Sequence, residues 1–271
     1  MIIRHGRCKI KGSAPANSQK LTNNQVKRYV SLNQKKYRKE YSLFIADGPH
    51  LVEAAVKSRW QIEKVVVKPE TISEAERLKI PEQLIAILPA SQFAKIAPSQ
   101  TPQGILAIVA KRDYSIKLSQ ICKTFQRMVA CDNISDPGNL GTIIRTAAAF
   151  NYDAVICIGD CAELYNPKTI RATQGTIFDI PVIEFINPGQ FLQYFKNDFD
   201  IAVISNTAQT ELQHAPALKK PILVMGGETK GISPEICANA KIGLRIEQSD
   251  NVDSLNVAVA AGIAMYQFAT A

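Results

Sequence analysis

Several features that would place this chain in a common class of protein are absent from its sequence. No apolar run approaches the roughly 18 residues that a membrane-spanning helix requires. The longest candidate, residues 256–269, has small residues at helical spacing and is typical of a packed helix. Charged side chains interrupt the N-terminal stretch "MIIRHGRCKIKG", which therefore does not fit a secretory signal. We expect a cytoplasmic protein without a membrane anchor.

The six cysteines do not form a metal-binding pattern. They contain no CxxC pair, and no histidine lies near Cys157 and Cys161, which are the closest two in sequence. Most of them lie in apolar runs, so we expect small buried hydrophobic residues in a reducing cytoplasm and no metal.

Two glycine-rich stretches fail the tests for phosphate-binding loops. "GNLGTIIR" lacks the third glycine of the dinucleotide fingerprint, and "GGETKGIS" lacks the GK[ST] ending of a P-loop. A nicotinamide-dependent or nucleoside-triphosphate-dependent enzyme is therefore disfavoured.

Basic residues, in contrast, are concentrated in the N-terminal half. Residues 1–120 contain 21 Lys and Arg against 9 Asp and Glu, a net charge of +12, whereas residues 121–271 contain 11 against 15, a net charge of −4. In "QVKRYVSLNQKKYRKEYSLF", Tyr29, Tyr37 and Tyr41 alternate with cations, a combination that suits phosphate contact and base stacking. The asymmetry predicts a half that faces nucleic acid. A basic tail that only aids solubility is the alternative.

The order of the predicted elements indicates an α/β protein with two domains. We predict a basic flexible tail at 1–22, a small α/β domain at 23–112, a linker at 113–125 and a second α/β domain at 126–271. The first domain is predicted to begin with one helix from about residue 23 to 36. Six strands of continuous Val, Ile, Leu and Ala in the second domain are typical of a parallel sheet covered by helices. Helices are predicted between these strands at about 141–151, 167–173, 189–196, 234–238 and 254–269.

Three polar loops follow strands of this second domain, where an open parallel sheet collects its functional groups. They are "DNISDPGNLGTIIR", "MGGETKGIS" and "IEQSDNVDSLNVAVA". Each contains an ionisable or amide side chain with no evident packing role. One such loop would mean little, but three of them predict a site.

The stretches "DNISDPGNLGTIIRTAAAF", "NPKTIRATQGTIFDIPV", "MGGETKGIS" and "SLNVAVAAGIAMYQF" together resemble the SpoU family of RNA ribose 2′-O-methyltransferases, within the SPOUT superfamily. Their order and spacing match over about residues 126–271. "FIADGPHLVEAA" and "TPQGILAIVAK" are similar to the family's substrate-binding domain, a small α/β fold like that of a ribosomal RNA-binding protein.

This resemblance implies a C-terminal domain with a deep trefoil knot, whose loops hold S-adenosylmethionine in a bent shape. It also implies an obligate homodimer that acts on structured RNA. The Ala- and Gly-rich C-terminal helix fits close packing in a dimer core, although a helix buried within one protomer would show the same pattern.

The resemblance also implies the site residues. Backbone groups would hold most of the cofactor, since amides and carbonyls can recognise adenine without dedicated side chains. The implied methyl-transfer residues are Asn139, Arg145, Glu228, Ser254 and Asn256. The implied cofactor-binding residues are Asn206, Gly226, Gly227, Gly231, Ile246 and Leu255.

Each implied role has an alternative. The Arg145 guanidinium stays protonated to pH ~12 or above, so we interpret it as a fork for phosphate and developing alkoxide rather than as a base. In the family this arginine acts across the dimer interface; a surface salt bridge is the alternative. Glu228 would orient Arg145 or the 2′-hydroxyl, or else be a plain loop carboxylate. Ser254 could be only a helix N-cap.

One stretch departs from the family pattern. Where Ile-Pro-Met is common, this chain has Ile246, Glu247 and Gln248, and Asp250 adds a further acid. The missing proline is expected to loosen the cofactor pocket, and one of the added carboxylates would face the sulfonium. Ribosomal RNA is favoured over tRNA as the substrate, and a catalytically silent RNA-binding or ribosome-assembly protein is the other alternative.

Overall fold

The structure, a computed structural model, describes residues 20–114, 118, 123–249, 251 and 253–269 of the 271. Most of the predicted tail and of the predicted linker, as well as Asp250, lie outside the described residues.

A four-stranded mixed sheet forms the N-terminal unit. Its strand order is β1-β4-β2-β3, with β4 antiparallel to both β1 and β2, and β3 parallel to β2. The strands are β1 (Leu43–Asp47), β2 (Ile62–Val67), β3 (Ile85–Ile87) and β4 (Ile105–Ala110). The helices are α1 (Asn23–Ser31), α2 (Lys35–Tyr41), α3 (Pro49–Lys57), α4 (Ile72–Arg77) and α5 (Ala90–Ile96).

The single helix predicted from residue 23 to 36 is wrong, because two helices occupy this region. A capping box at Thr22 begins α1, which ends at Ser31. The Asn33 side chain then donates hydrogen bonds to the carbonyls of Val30 and Ile96, at 3.2 and 3.0 Å. A side chain that takes up a helix-end carbonyl in this way competes with continuation of the helix.

The tyrosines of this region differ in exposure. Tyr29 is fully buried, and its hydroxyl donates to Glu63 at 2.8 Å, so it is a core residue rather than a base-stacking residue. Tyr37 and Tyr41 are half-buried and stack on each other with ring centroids 6.0 Å apart. Of these three tyrosines, only Tyr37 and Tyr41 have rings that reach the surface.

A seven-stranded sheet in which every pairing is parallel forms the C-terminal unit, as predicted. Its order is β7-β6-β5-β10-β8-β11-β9. The strands are β5 (Met128–Asp132), β6 (Ala154–Ile158), β7 (Val182–Phe185), β8 (Asp200–Ile204), β9 (Thr210–Glu211), β10 (Pro221–Gly226) and β11 (Ile242–Arg245). The helices are α6 (Pro137–Ala149), α7 (Pro167–Ala172), α8 (Pro188–Phe195), α9 (Pro234–Ala238) and α10 (Val257–Ala269).

Helices cover both faces of this sheet. Side chains of α6, α7 and α10 pack on one face with Val129, Val155 and Leu223, and those of α8 and α9 pack on the other. The C-terminal helix α10 returns to the first helix of the unit, and Tyr152 just after α6 donates from its hydroxyl to the Met265 carbonyl at 3.2 Å. No helix among the described residues is long and apolar enough to cross a membrane.

The described cysteines are unlike one another in environment. Cys131 and Cys157 are buried, Cys161 is half-buried and Cys237 is exposed. Burial raises the pKa of the Cys131 thiol well above its usual value. Within the part of the chain that the structure describes, no group of three His, Cys, Asp or Glu side chains is arranged to hold a metal ion.

A buried ion pair joins the two units. Arg38 of α2 is 3% exposed and donates from Nε to Glu163, which precedes α7, at 2.8 Å, and from Nη1 to the Leu32 carbonyl at 2.7 Å. Nearby, the Phe44 ring of β1 lies 4.8 Å from the ring of Tyr165 between centroids. The units therefore share core contacts as well as a charge pair.

Replacing Glu163 with alanine is expected to lower the free energy of unfolding by about 3 kcal/mol, since it leaves the buried Arg38 guanidinium without a counter-charge. Urea denaturation followed by circular dichroism measures the loss. The matched control is Arg77→Ala, which removes exposed ion pairs to Glu53 and Glu74 and should lower the stability far less, because solvent screens them. Equal losses for the two variants would contradict the structural importance of the buried pair.

Candidate active site

The first loop joins β5 to α6, and its last residue begins the helix. Asp136 is the N-cap, and its Oδ1 accepts from the Asn139 amide at 2.7 Å. The helix therefore starts at Pro137, earlier than the predicted residue 141, and Asn139 lies in its first turn. Arg145 follows two turns in, on the exposed side.

The second loop, after β10, is held against the first by backbone contacts that only glycine permits. The Gly227 amide donates to the Asp132 carbonyl at 2.8 Å, and a Cβ at Gly227 would lie 2.2 Å from the Asn133 carbonyl oxygen. A Cβ at Gly226 would lie 2.5 Å from the Gly231 carbonyl carbon. Real Cβ atoms do not approach so closely, so both glycines are required by the turn.

Asp132 is a structural residue of the site that the sequence patterns did not single out. It is fully buried at the end of β5, and its Oδ2 accepts from the Ser233 amide at 2.6 Å while its Oδ1 accepts from the Asn133 side chain at 2.7 Å. It thus fastens the first two loops together. An aspartate that ends an otherwise apolar strand is the only signal that could have indicated it.

The third loop leads into α10 and contacts the end of β8. Asn206 donates from Nδ2 to the Asp253 carbonyl at 3.3 Å. The Oδ1 of Asn256 accepts from the Ala258 and Val259 amides at 2.9 and 3.3 Å, so Asn256 is the cap of α10. The alternative role for Ser254, an N-cap, is therefore wrong.

A chain of side-chain hydrogen bonds crosses all three loops. Asn256 donates from Nδ2 to Asn139 Oδ1 at 3.0 Å, and Asn139 donates from Nδ2 to Glu228 Oε1 at 3.1 Å. The helix cap fixes the Asn256 amide so that its Nδ2 is the donor, and this orientation fixes that of Asn139 in turn. Three residues far apart in sequence thus meet in one ordered array.

A cavity of about 410 Å³ lies beside this array, among the second and third loops and the end of β8. Glu228 and Ser254 line it, whereas Asn139, Asn256 and Arg145 do not. Most of its lining residues are glycine or aliphatic. All six predicted cofactor residues line it: Asn206, Gly226, Gly227, Gly231, Ile246 and Leu255.

Arg145 is placed differently from the other predicted residues. It is exposed, and it makes no hydrogen bond or ion pair with any residue that the structure describes. The alternative role as a partner in a surface salt bridge is therefore not realised among the described residues. A guanidinium presented to solvent from α6 is available to a ligand or to a second protein chain.

The stretch that departs from the family pattern still lines the cavity. Ile246 and Gln248 contribute to the wall, and Gln248 donates from Nε2 to the Asp253 carbonyl at 3.4 Å. This hydrogen bond ties the loop where a proline would have stiffened it. Glu247 is exposed and is not part of the wall.

Comparison with known proteins agrees with this geometry. The SpoU rRNA Methylase family matches residues 126–266, and the MRM3-like substrate binding domain matches residues 23–107. The 23S rRNA (guanosine(2553)-2′-O)-methyltransferase RlmP of Bacillus subtilis is 32% identical over 251 residues, which cover 90% of this chain and 95% of that protein.

Solved structures show the same architecture. A Sinorhizobium meliloti rRNA methyltransferase with AdoMet bound superposes with a TM-score of 0.80 at 28% identity, covering 93% of this chain and 97% of that one. A structure described as giving insight into 2-OH methylation of C/U34 on tRNA has a TM-score of 0.50 at 26% identity. It covers only 53% of this chain but 94% of its own.

The fold, the loop array and these matches together define an RNA methyltransferase that uses S-adenosylmethionine. The chain belongs to the SpoU rRNA methylase family.

The volume and the lining of the cavity also fit this cofactor, independently of the comparisons. Its volume lies within the 300–1,000 Å³ range of small-molecule sites. Three of its lining residues are glycines, which put no side chain between the cavity and the backbone, and Glu228 and Asp253 are lining residues whose negative charge complements a cationic sulfonium.

Proposed function

We propose that the protein transfers the methyl group of S-adenosylmethionine to the 2′-hydroxyl of a ribose in ribosomal RNA. The observation that carries this proposal is the hydrogen-bonded array of Asn256, Asn139 and Glu228, which reaches the 410 Å³ cavity through Glu228. It combines neutral donors and acceptors with one carboxylate, which suits orientation of a hydroxyl nucleophile.

When bound, the cofactor supplies an electrophilic methyl group. We propose that Asn206, Gly226, Gly227, Gly231, Ile246 and Leu255 hold it, mainly through their backbones. Glu228 Oε1 accepts from Asn139, which leaves Oε2 to accept a hydrogen bond from the 2′-hydroxyl and to orient it. Ser254 lines the same cavity and offers a hydroxyl there.

Arg145 is proposed to bind the phosphate next to the target ribose and to stabilise the alkoxide that develops as the hydroxyl proton passes to Glu228 Oε2. A guanidinium can donate two parallel hydrogen bonds to a phosphate, and it stays charged at every physiological pH. That it has no partner within the described part of the chain supports this role.

A homodimer is proposed to bring Arg145 to the partner's cofactor. Three large apolar side chains on α10 face solvent at helical spacing, namely Val259, Ile263 and Tyr266, which are 53%, 41% and 58% exposed. Gly262 of α10 packs close to Thr146, the neighbour of Arg145, since a Cβ added at Gly262 would lie only 3.7 Å from Thr146 Cγ2. A second copy on this face would therefore cover the apolar stripe next to Arg145. The trefoil knot stays a prediction.

Ribosomal RNA is the proposed substrate because the match to RlmP extends over nearly the whole chain, whereas about half of this chain has no counterpart in the tRNA-methylation structure. We propose that residues 23–112 form the RNA-binding domain, 113–125 the linker and 126–271 the methyltransferase domain. Incubation with tritiated S-adenosylmethionine tests the substrate: label should enter an unmodified 23S rRNA transcript and not a tRNA pool. Label in tRNA alone would reassign the substrate.

The exposed lysines of α2 are expected to contribute to RNA affinity. Replacing Lys35, Lys36 and Lys39 with glutamine should weaken binding to the 23S transcript. It should also make the fall of log K with log salt shallower, with a slope smaller in magnitude by ~2. Filter binding at several salt concentrations measures both. Lys219, Lys220 and Lys241, changed in the same way, form the control. An unchanged slope for the α2 variant would exclude this surface from the RNA interface.

Substituting side chains is a cleaner test than deleting the N-terminal unit. Deletion would expose Tyr165 and Phe178, which pack on Phe44, and would unpair Glu163. Loss of RNA binding after deletion would therefore not distinguish an RNA contact from a damaged fold.

A further inference from the structure

A second cavity, of about 380 Å³, lies at the junction of the two units, away from the residues that line the cofactor cavity. Its wall combines the loop after β1, the loop before β4 and the end of α7. His50 joins the two sides, since its Nε2 donates to the Gln174 carbonyl at 2.9 Å. The lining side chains are predominantly polar and include Asp47, His50, Gln103, Arg171 and Gln174.

One wall residue has an unused acceptor. Asp47 Oδ2 accepts from the Ser99 amide at 3.3 Å and also from the Ser99 hydroxyl. Its Oδ1 is buried and has no hydrogen-bond donor among the residues that the structure describes. A buried carboxylate oxygen without a donor is costly, so a ligand that brings an N–H or O–H group to this wall would gain by satisfying it.

Two unused sets of donors lie in the same wall. Arg171, near the end of α7, is exposed and has no ion pair in the described part of the chain. Helix α3 begins at this cavity, and its N-cap Gly48 offers no side chain to the first turn. The first intrahelical bond here runs from the Val52 amide to the Gly48 carbonyl, so the His50 and Leu51 amides precede it.

Gly48 keeps the cavity open at this point. Its φ of +107° is a conformation that side chains rarely adopt, and a Cβ there would lie 3.0 Å from Gln103 Oε1. The amide of Gln103 adds a donor and an acceptor. The wall thus has cationic and N–H donors suited to a phosphate, together with a carboxylate suited to a donor group.

We infer that this junction cavity binds one nucleotide of the RNA substrate. Arg171 and the first turn of α3 hold its phosphate, and Asp47 accepts from an N–H of the base or from the ribose hydroxyl. Since Oδ1 is enclosed in the structure, the inference requires the Asp47 carboxylate to turn toward this donor when the nucleotide binds. The inference rests on the proposed function in one respect only, namely that the bound polymer is the RNA to be methylated.

If the cavity bound only a phosphate, neutralising Asp47 would have the opposite effect on affinity. A carboxylate in the wall repels a bare phosphate, so its neutralisation would tighten anion binding. A nucleotide whose N–H or O–H group pairs with the carboxylate would instead be bound less well after the same change. The Asp47→Asn substitution therefore distinguishes the two ligands, because it keeps the shape and replaces an acceptor with a donor.

The test measures binding of the full-length protein to an unmodified 23S rRNA transcript. Arg171→Gln should raise the Kd about tenfold, and the slope of log K against log salt should become smaller in magnitude by about 1. Asp47→Asn should raise the Kd by about fivefold or more with the slope unchanged. Lys168→Gln, on the same helix but outside the cavity wall, is the charge-matched control and should leave the Kd within about twofold.

Three results would overturn the inference: unchanged binding by both cavity variants, equal losses for Arg171→Gln and Lys168→Gln, or tighter binding by Asp47→Asn, which would indicate a phosphate contact only. Thermal melting of each variant identifies any loss that comes from unfolding.

Methyl transfer by the wild type is a separate readout. Normal transfer together with unchanged binding by the variants rejects this inference and leaves the proposed function intact, whereas weakened binding without any transfer rejects the proposed function alone.

Discussion

Replacing Arg145 with alanine is expected to reduce the methyl-transfer rate on the order of 10²–10³-fold, with an unchanged Kd for S-adenosylmethionine. The guanidinium is exposed, has no partner among the described residues and lies outside the cofactor cavity, so neither the fold nor the cofactor site depends on it. What is lost is stabilisation of the phosphate and of the developing alkoxide. Single-turnover transfer from tritiated cofactor and isothermal titration calorimetry measure the two quantities.

Two further variants sharpen this test. Arg145→Lys keeps the charge but lacks the planar fork, so it should recover only part of the rate. Lys196→Ala removes an exposed cation elsewhere in the same unit and should leave the rate unchanged. Parallel loss of cofactor affinity and of transfer in Arg145→Ala would mean that the assigned role is wrong.

The proposed action of Arg145 on the partner's cofactor has its own consequence. When Arg145→Ala and a chain with a defective cofactor cavity are refolded together in equal amounts, half of the dimers are mixed. Each mixed dimer contains one complete site, so about a quarter of the wild-type activity should return. If Arg145 served its own chain, no complete site would form and no activity would return.

The second large effect is expected for Gly227→Ala, which should weaken S-adenosylmethionine binding about 100-fold. The added methyl group would lie 2.2 Å from the Asn133 carbonyl oxygen, a backbone atom that cannot move without displacing the β5 loop. The loop that carries Glu228 must therefore shift, and the amide of residue 227 loses its hydrogen bond to the Asp132 carbonyl.

Gly231→Ala is the matched control within the same loop. Its φ is +63°, and a Cβ added there would have no atom within 4 Å. The substitution therefore costs only backbone strain of about 1–2 kcal/mol and should affect cofactor binding much less than Gly227→Ala does. Calorimetry compares the two. Equal affinities would show that the close approach of Gly227 to Asn133 has no part in forming the cofactor site.

The parts of this structure that sequence patterns predict are those that depend on apolar periodicity and on chain order. Continuous apolar strands predict the parallel sheet, and polar residues after them predict that the loops meet at one edge. The family resemblance adds which residues matter. These patterns are local or nearly so, and each residue type has a direct physical preference for its place.

The missed features depend on contacts between distant residues. The break between α1 and α2 involves the Ile96 carbonyl, which accepts from Asn33 across the sheet unit. The start of α6 is an exception, because its Asp136 cap accepts from Asn139 only three residues further on and is a local signal. The array at the site, in contrast, joins Asn139 to Glu228 and to Asn256, which are 89 and 117 residues away. The short strand β9 forms only because β11 lies beside it. No local pattern shows the distant partners.

The most direct test of the proposed 2′-O-methylation is to identify the chemical position of the transferred methyl group. After incubation of the wild-type protein with tritiated S-adenosylmethionine and an unmodified 23S rRNA transcript, the RNA is hydrolysed with alkali and analysed by mass spectrometry. Methylation of a 2′-oxygen blocks cleavage of the adjacent phosphodiester. We therefore expect the label in a single alkali-resistant dinucleotide with the methyl group on its ribose. Label on a base, or cofactor binding without transfer to any ribose, would contradict it.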